Sequence, residues 1–135
     1  MSSEILKSAL SPFGIPDLPV DRILTTALKG GGALAYSGDT GPTDRLWEVL
    51  NETPKLKAML MEVSFPNDEQ RVATLSGHHT PATLAADLKK LEIARDLPFL
   101  LYHIKPTFQA KVEREVARIR GVNLSVLDLG DQFIL

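Results

Sequence analysis

From Gly30-Gly31-Gly32 onward the chain alternates short apolar runs with amphipathic stretches, and this alternation restricts the fold more than any other feature. "ALAYS" (33–37) stops at Gly38 and reads as a buried strand. Thr43 then reads as the cap of a short helix with Leu46, Trp47, Val49 and Leu50 on its apolar face. "AMLMEVSF" (58–65) is the next strand, closed by Pro66. Thr80-Pro81 places an N-cap before a proline at the first helical position, and Leu84, Leu88 and Leu91 follow as one stripe. "PFLLYHI" (98–104) is a further strand, followed by a helix with Phe108, Val112, Val116 and Ile119 inward. "NLSVLDL" and "QFIL", separated by Gly130-Asp131, predict a closing hairpin. Strands alternating with helices define an α/β layer, and near-continuous apolar strands fit a sheet covered by helices.

Ahead of the glycines the pattern differs. Ile5, Leu6 and Leu10, then Ile23, Leu24, Ala27 and Leu28, recur at helical spacing on either side of a loop with Pro12, Gly14, Pro16 and Pro19. Residues 1–32 are therefore read as an N-terminal helical segment and 33–135 as the α/β unit. The glycine run precedes no Lys-Ser/Thr and contains no GxGxxG, so it predicts a turn rather than a nucleotide-binding loop.

A chain of 135 residues accommodates one domain with its own core. With 24% charged residues and a formal net charge of −2, it carries no electrostatic footprint for DNA or an acidic membrane. It has no cysteine, which excludes disulfides and thiolate sites and leaves His and carboxylates as metal ligands. "MSSEILKSALSPFG" lacks the basic and apolar regions of a signal peptide, and no stretch reaches the length of a membrane span. A cytoplasmic location is the expectation.

Each central strand ends in a polar residue its apolar run does not explain: Asp39 after "ALAYSG", Glu62 after "AMLM", His103 after "FLLY". If the strands are parallel, these lie on the carboxyl rim of the sheet, where ligands gather in α/β proteins. His78 and His79, in "SGHHTP", precede a helix N-terminus. Each residue also has a plain structural reading. Asp39 suits a turn, His103 a satisfied core histidine, and the paired histidines an ordinary loop. Glu62 inside an apolar strand needs a partner, because a lone buried carboxylate is costly.

"YSGDTGPTD", "MEVSFPN", "SGHHTP" and "YHIKP" follow one another in that order over residues 33–135. Together they resemble the last motifs of class II cyclic-nucleotide phosphodiesterases, of the metallo-β-lactamase fold, and more distantly those of ribonuclease Z. The resemblance implies half of an αβ/βα sandwich, its sheet covered by helices on one side. It implies Asp39 as an aspartate bridging two divalent metals, usually zinc, and His103 as a ligand of the second metal. By comparison with ribonuclease Z, His78 would protonate the leaving oxygen, and Glu62 would orient it and keep it protonated. His79 matches no catalytic residue. Lys105 reads equally as a phosphate contact or a solvated lysine.

The family's HxHxDH motif is absent, and no histidine precedes His78. The sequence-level expectation is thus a cyclic-nucleotide phosphodiesterase lineage, incomplete or inactive as an isolated chain and acting, if active, on a small phosphodiester or cyclic nucleotide. The alternative is a non-catalytic interaction or assembly module. Either way a half-sandwich exposes one sheet face, which predicts a homo-oligomer or a partner chain covering it. No membrane and no DNA partner is expected.

Overall fold

The computed structural model describes residues 24–134. Its centre is one five-stranded sheet of β1 (Leu24–Ala27), β2 (Ala33–Tyr36), β3 (Leu56–Glu62), β4 (Pro98–Tyr102) and β5 (Asn123–Val126), in that spatial order. β1 pairs antiparallel with β2, while β2, β3, β4 and β5 are mutually parallel. Four helices fill the crossovers among the described residues: α1 (Arg45–Glu52), α2 (Gln70–Ser76), α3 (Pro81–Leu88) and α4 (Gln109–Val116). Successive parallel strands added in one direction through crossovers of the same hand bring their helices to one face.

The core lies between that face and the helices. Ala35, Met59, Met61, Phe99 and Leu101, alternate residues of β2, β3 and β4, are buried against Leu46, Trp47 and Leu50 of α1, Leu84 and Leu88 of α3, and Val112 and Val116 of α4. The predicted apolar stripes thus face the sheet. Trp47 stacks near Phe99, with centroids 6.0 Å apart, and its Nε1 donates to Asp87 Oδ2 at 3.0 Å, which ties α1 to α3. The other sheet face is less covered: Tyr36 is 37% exposed, and Leu34 and Leu60 are half-buried.

Three local expectations change. The helical pattern over residues 23–28 is strand from Leu24 to Ala27. The glycines explain why: Leu28 N donates to Gly32 O and Gly31 N to Leu28 O, both at 3.0 Å, closing a tight turn that folds β1 back onto β2. All three glycines have positive φ, and a Cβ on Gly32 would meet Lys57 Cγ at 2.7 Å. The sheet ladder with β2 outweighs a helical spacing too short to propagate alone. The first helical pattern, at Ile5, Leu6 and Leu10, lies outside the described residues. The closing hairpin does not form either. β5 joins β4 in parallel, residues 131–134 are not strand, and the intervening turn is closed by Asp131 N to Asp128 O at 3.1 Å. A parallel partner already satisfies β5, and residues 131–134 are all exposed. Finally, β3 and β4 end at Glu62 and Tyr102, earlier than the apolar runs suggested, so Ser64, Phe65 and His103 lie beyond the strands.

Candidate active site

Because β2, β3 and β4 are parallel, their carboxyl ends share one rim, and the segments leaving them build the site. After β2, Ser37 N still pairs with Leu60 O at 3.0 Å, then Gly38 takes a positive φ and turns the chain so that Asp39 stands exposed above the sheet. The buried Ser37 hydroxyl accepts from Glu62 N at 3.2 Å and donates to Gly38 O at 2.7 Å, so the β2 loop and the end of β3 are laced together.

His78 is held by two helix ends. Gly77, with φ 75, stops α2 in the left-handed conformation, and His78 N donates back to Ala73 O at 2.9 Å. Two residues later α3 starts with a capping box: Thr83 N donates to Thr80 Oγ1 at 3.2 Å and Thr80 N to Thr83 Oγ1 at 2.9 Å, with Pro81 next. Between these caps the His79 carbonyl accepts from Ser64 N at 3.0 Å, and His79 N donates to Glu62 Oε2 at 3.2 Å. The histidine loop is therefore docked on the end of β3 through its backbone.

Glu62 is fully buried, and its Oε1 is hydrogen-bonded to His78 Nδ1. The carboxyl thus has the partner its position demanded. Burial pushes its pKa up to about 8, against the lowering effect of its hydrogen bonds. Burial, and then the neighbouring His103, lower that of His78. Both shifts oppose the charge-separated pair. The Oε1–Nδ1 hydrogen bond fixes the orientation of the imidazole.

His103 follows β4 directly and adopts a φ of 76. Its Nδ1 meets Ser64 Oγ at 2.9 Å, and its Nε2 lies 3.6 Å from Asp39 Oδ1. Its ring centroid is 5.2 Å from that of His78. Asp39, His78 and His103 each offer one ligand atom, all within 4.8 Å of one another. The structure thus brings all four residues picked out in the sequence to one place, and adds His78 to the group able to surround a cation. With Nδ1 occupied by Glu62, the nitrogen His78 offers is Nε2. Both imidazoles have their outer nitrogen fixed by an oxygen, an arrangement typical of metal-binding histidines.

Three contributors were not read from the sequence. Ser64 orients His103, and its position two residues beyond Glu62 was the available signal. Ser37 links two loops. Phe65 packs its ring 5.9 Å from that of His78 and lies beneath Lys105, whose Nζ is 5.8 Å from the phenyl centroid. His79, buried, is no part of the cluster: its Nδ1 meets Thr83 Oγ1 at 2.9 Å, and burial lowers its pKa to about 4.

This fold and site define a metallo-β-lactamase-type α/β layer. The metallo-β-lactamase fold protein YhfI from Bacillus subtilis superposes with a TM-score of 0.56, over 78% of this chain and 45% of that protein, at 15% identity, a likeness of fold. No protein-family model matches the chain. In sequence it is 40% identical to a probable 3',5'-cyclic-nucleotide phosphodiesterase of Yersinia pestis, across 75% of this chain. The chain is a relative of the metallo-β-lactamase-fold phosphodiesterases, as its four motifs suggested, and it spans about a third (34%) of the length of that relative. Among the described residues, no helix is long and apolar enough to cross a membrane.

Proposed function

We propose that this chain supplies part of the active site of a metal-dependent phosphodiesterase acting on cyclic nucleotides or a related phosphodiester. The observation that carries the reading is the convergence of Asp39, His78 and His103 within 4.8 Å, with Glu62 behind His78. The donors fit a divalent cation such as zinc: the Asp39 carboxylate and the His103 imidazole, whose Nδ1 is fixed by Ser64, with His78 beside them. When bound, such a cation supplies a hydroxide nucleophile at neutral pH and charge stabilisation at phosphorus. Asp39 and His103 are its ligands in this reading. His78 delivers a proton from Nε2 to the leaving oxygen, and Glu62 replenishes Nδ1 with the proton they share. Lys105 stands beside His78 to meet a phosphate oxygen.

Metal loading separates these roles. Cobalt or zinc binding by the full chain should be lost in Asp39→Ala and His103→Ala and retained in His78→Ala. Loss of metal in His78→Ala as well would make His78 a ligand and overturn its assignment as acid. Hydrolysis of cyclic AMP by the chain alone should stay near background, because two ligands fall short of a two-metal site. Efficient turnover abolished by Asp39→Ala would instead give the chain a complete catalytic role.

A second reading, an interaction or assembly module, is favoured by one feature: Tyr36, 37% exposed, stacks on Tyr102 with centroids 5.3 Å apart, leaving aromatic surface at the edge of the less covered sheet face. In this reading a second copy or a partner chain covers that face. Light scattering that returns a monomer at all concentrations would remove the second copy.

A further inference from the structure

A cavity of about 360 Å³ lies between α3 and the end of α4, and none of Asp39, Glu62, His78 and His103 lines it. Its wall carries Lys89, Arg95, Arg118 and Arg120 against a single carboxylate, Glu115. That is a local reversal of sign in a chain of net charge −2. Glu115 is itself engaged, its Oε1 accepting from Asn67 N at 2.8 Å.

Two of the guanidinium groups are anchored. Arg95 Nη1 donates to Leu88 O at 3.0 Å and Leu91 O at 3.4 Å, at the end of α3, and Arg120 Nη1 donates to Ala117 O at 2.6 Å. Each keeps further N–H groups for an outside acceptor. Arg118 and Lys89 make no side-chain hydrogen bond or ion pair among the described residues. Apart from Asn67, the rest of the wall is apolar, with Ala85, Ile119 and Val122 offering surface on which a ring can lie. Small Ala82 and Ala85 leave the space open.

A basic rim over an apolar wall selects an anion attached to an apolar ring, and forked guanidinium donors match phosphate oxygens. We propose that this cavity binds a phosphate monoester on an aromatic ring system, of the size of a nucleoside monophosphate, at a site separate from the Asp39–His103 centre. The volume falls at the small end of ligand pockets and suits one such molecule. This assignment does not depend on hydrolysis by the chain.

Calorimetric titration of the full chain in EDTA tests it, with AMP, inorganic phosphate and adenosine as probes. AMP is expected to bind, and each half alone to bind at least tenfold more weakly. Arg118→Glu should weaken AMP by roughly tenfold or more. Ala85→Trp, which fills the cavity without altering charge, should weaken it as well, and His103→Ala should not. The proposal is overturned if AMP fails to bind at millimolar concentration, if both cavity variants bind it normally, or if His103→Ala abolishes binding. Tight binding of a single-stranded oligonucleotide that AMP does not displace would overturn it too, by making the basic rim a nucleic-acid surface. Circular dichroism of both cavity variants confirms that lost binding is not lost folding.

Discussion

Ser64 Oγ meets His103 Nδ1 at 2.9 Å, and this contact turns the opposite nitrogen of the imidazole toward Asp39 Oδ1, 3.6 Å away. Ser64 is itself buried and fixed at its backbone, where Ser64 N pairs with His79 O and Ser64 O accepts from Lys105 N, both at 3.0 Å. Ser64 therefore links three loops: the one after β3, the histidine loop through its backbone, and the one after β4 through both backbone and hydroxyl.

Removing that hydroxyl should act on the metal more than on the fold. Ser64→Ala is expected to lower the affinity for zinc or cobalt by about 10- to 100-fold, the usual cost of losing a group that orients a ligating histidine. Competition with a chelating dye measures it directly. Unchanged affinity would mean that His103 does not ligate through Nε2.

The Glu62–His78 pair makes a prediction about pH. The carboxyl has an ordinary value of 4.5 and is pushed up to about 8 in the folded chain, chiefly by burial. Between these values the folded state holds a proton that the unfolded state has released, so this group's contribution to stability is full below pH 4.5 and is lost as pH rises toward 8. Glu62→Gln should flatten that decline in urea midpoints measured across the window without metal. A decline as steep in the variant as in the parent chain would assign the effect to another group.

Much of this site was legible because polar residues at the ends of apolar runs stand out against their surroundings. Glu62 could not be an unpartnered core carboxylate, and His78 is the partner that accounts for it. The α/β layer was read from alternating strands and helices, and the parallel pairing that the sequence left as a condition places Asp39, Glu62 and His103 on one rim. What remained hidden depended on contacts between distant segments. Nothing local announced that Ser64 would meet His103, or that a glycine turn would fold residues 24–27 into a strand against β2. Nor could spacing show that burial would push the Glu62 carboxyl upward.

Asp87 should be the most costly polar residue to remove. It is buried in α3, and its Oδ2 accepts from Thr43 N and Trp47 Nε1, each at 3.0 Å, while Oδ1 meets Lys90 Nζ at 2.9 Å. Through Thr43 it also anchors the loop that carries Asp39. Asp87→Ala leaves the buried indole N–H without its acceptor and is expected to destabilise the chain by about 3 kcal/mol. Urea denaturation followed by Trp47 fluorescence measures it. A change below about 1 kcal/mol would mean that water replaces the carboxylate at little cost.

His103 adopts its φ of 76 with a β-carbon present, a conformation in which glycine alone is unstrained. From that backbone geometry the imidazole reaches both Asp39 and Ser64, which ties the strain to the ligand position. Comparing two variants isolates it, since His103→Ala and His103→Gly both remove the imidazole and its bond to Ser64, and both should fail to load metal. They differ in the β-carbon, so the glycine variant should be the more stable by about 1 kcal/mol, despite the greater freedom of its unfolded chain. Urea midpoints of the two, compared without metal, decide the matter. An alanine variant as stable as the glycine one would show that the backbone relaxes once the ring is gone, and that the ring's own contacts, rather than the fold, hold residue 103 in the left-handed conformation.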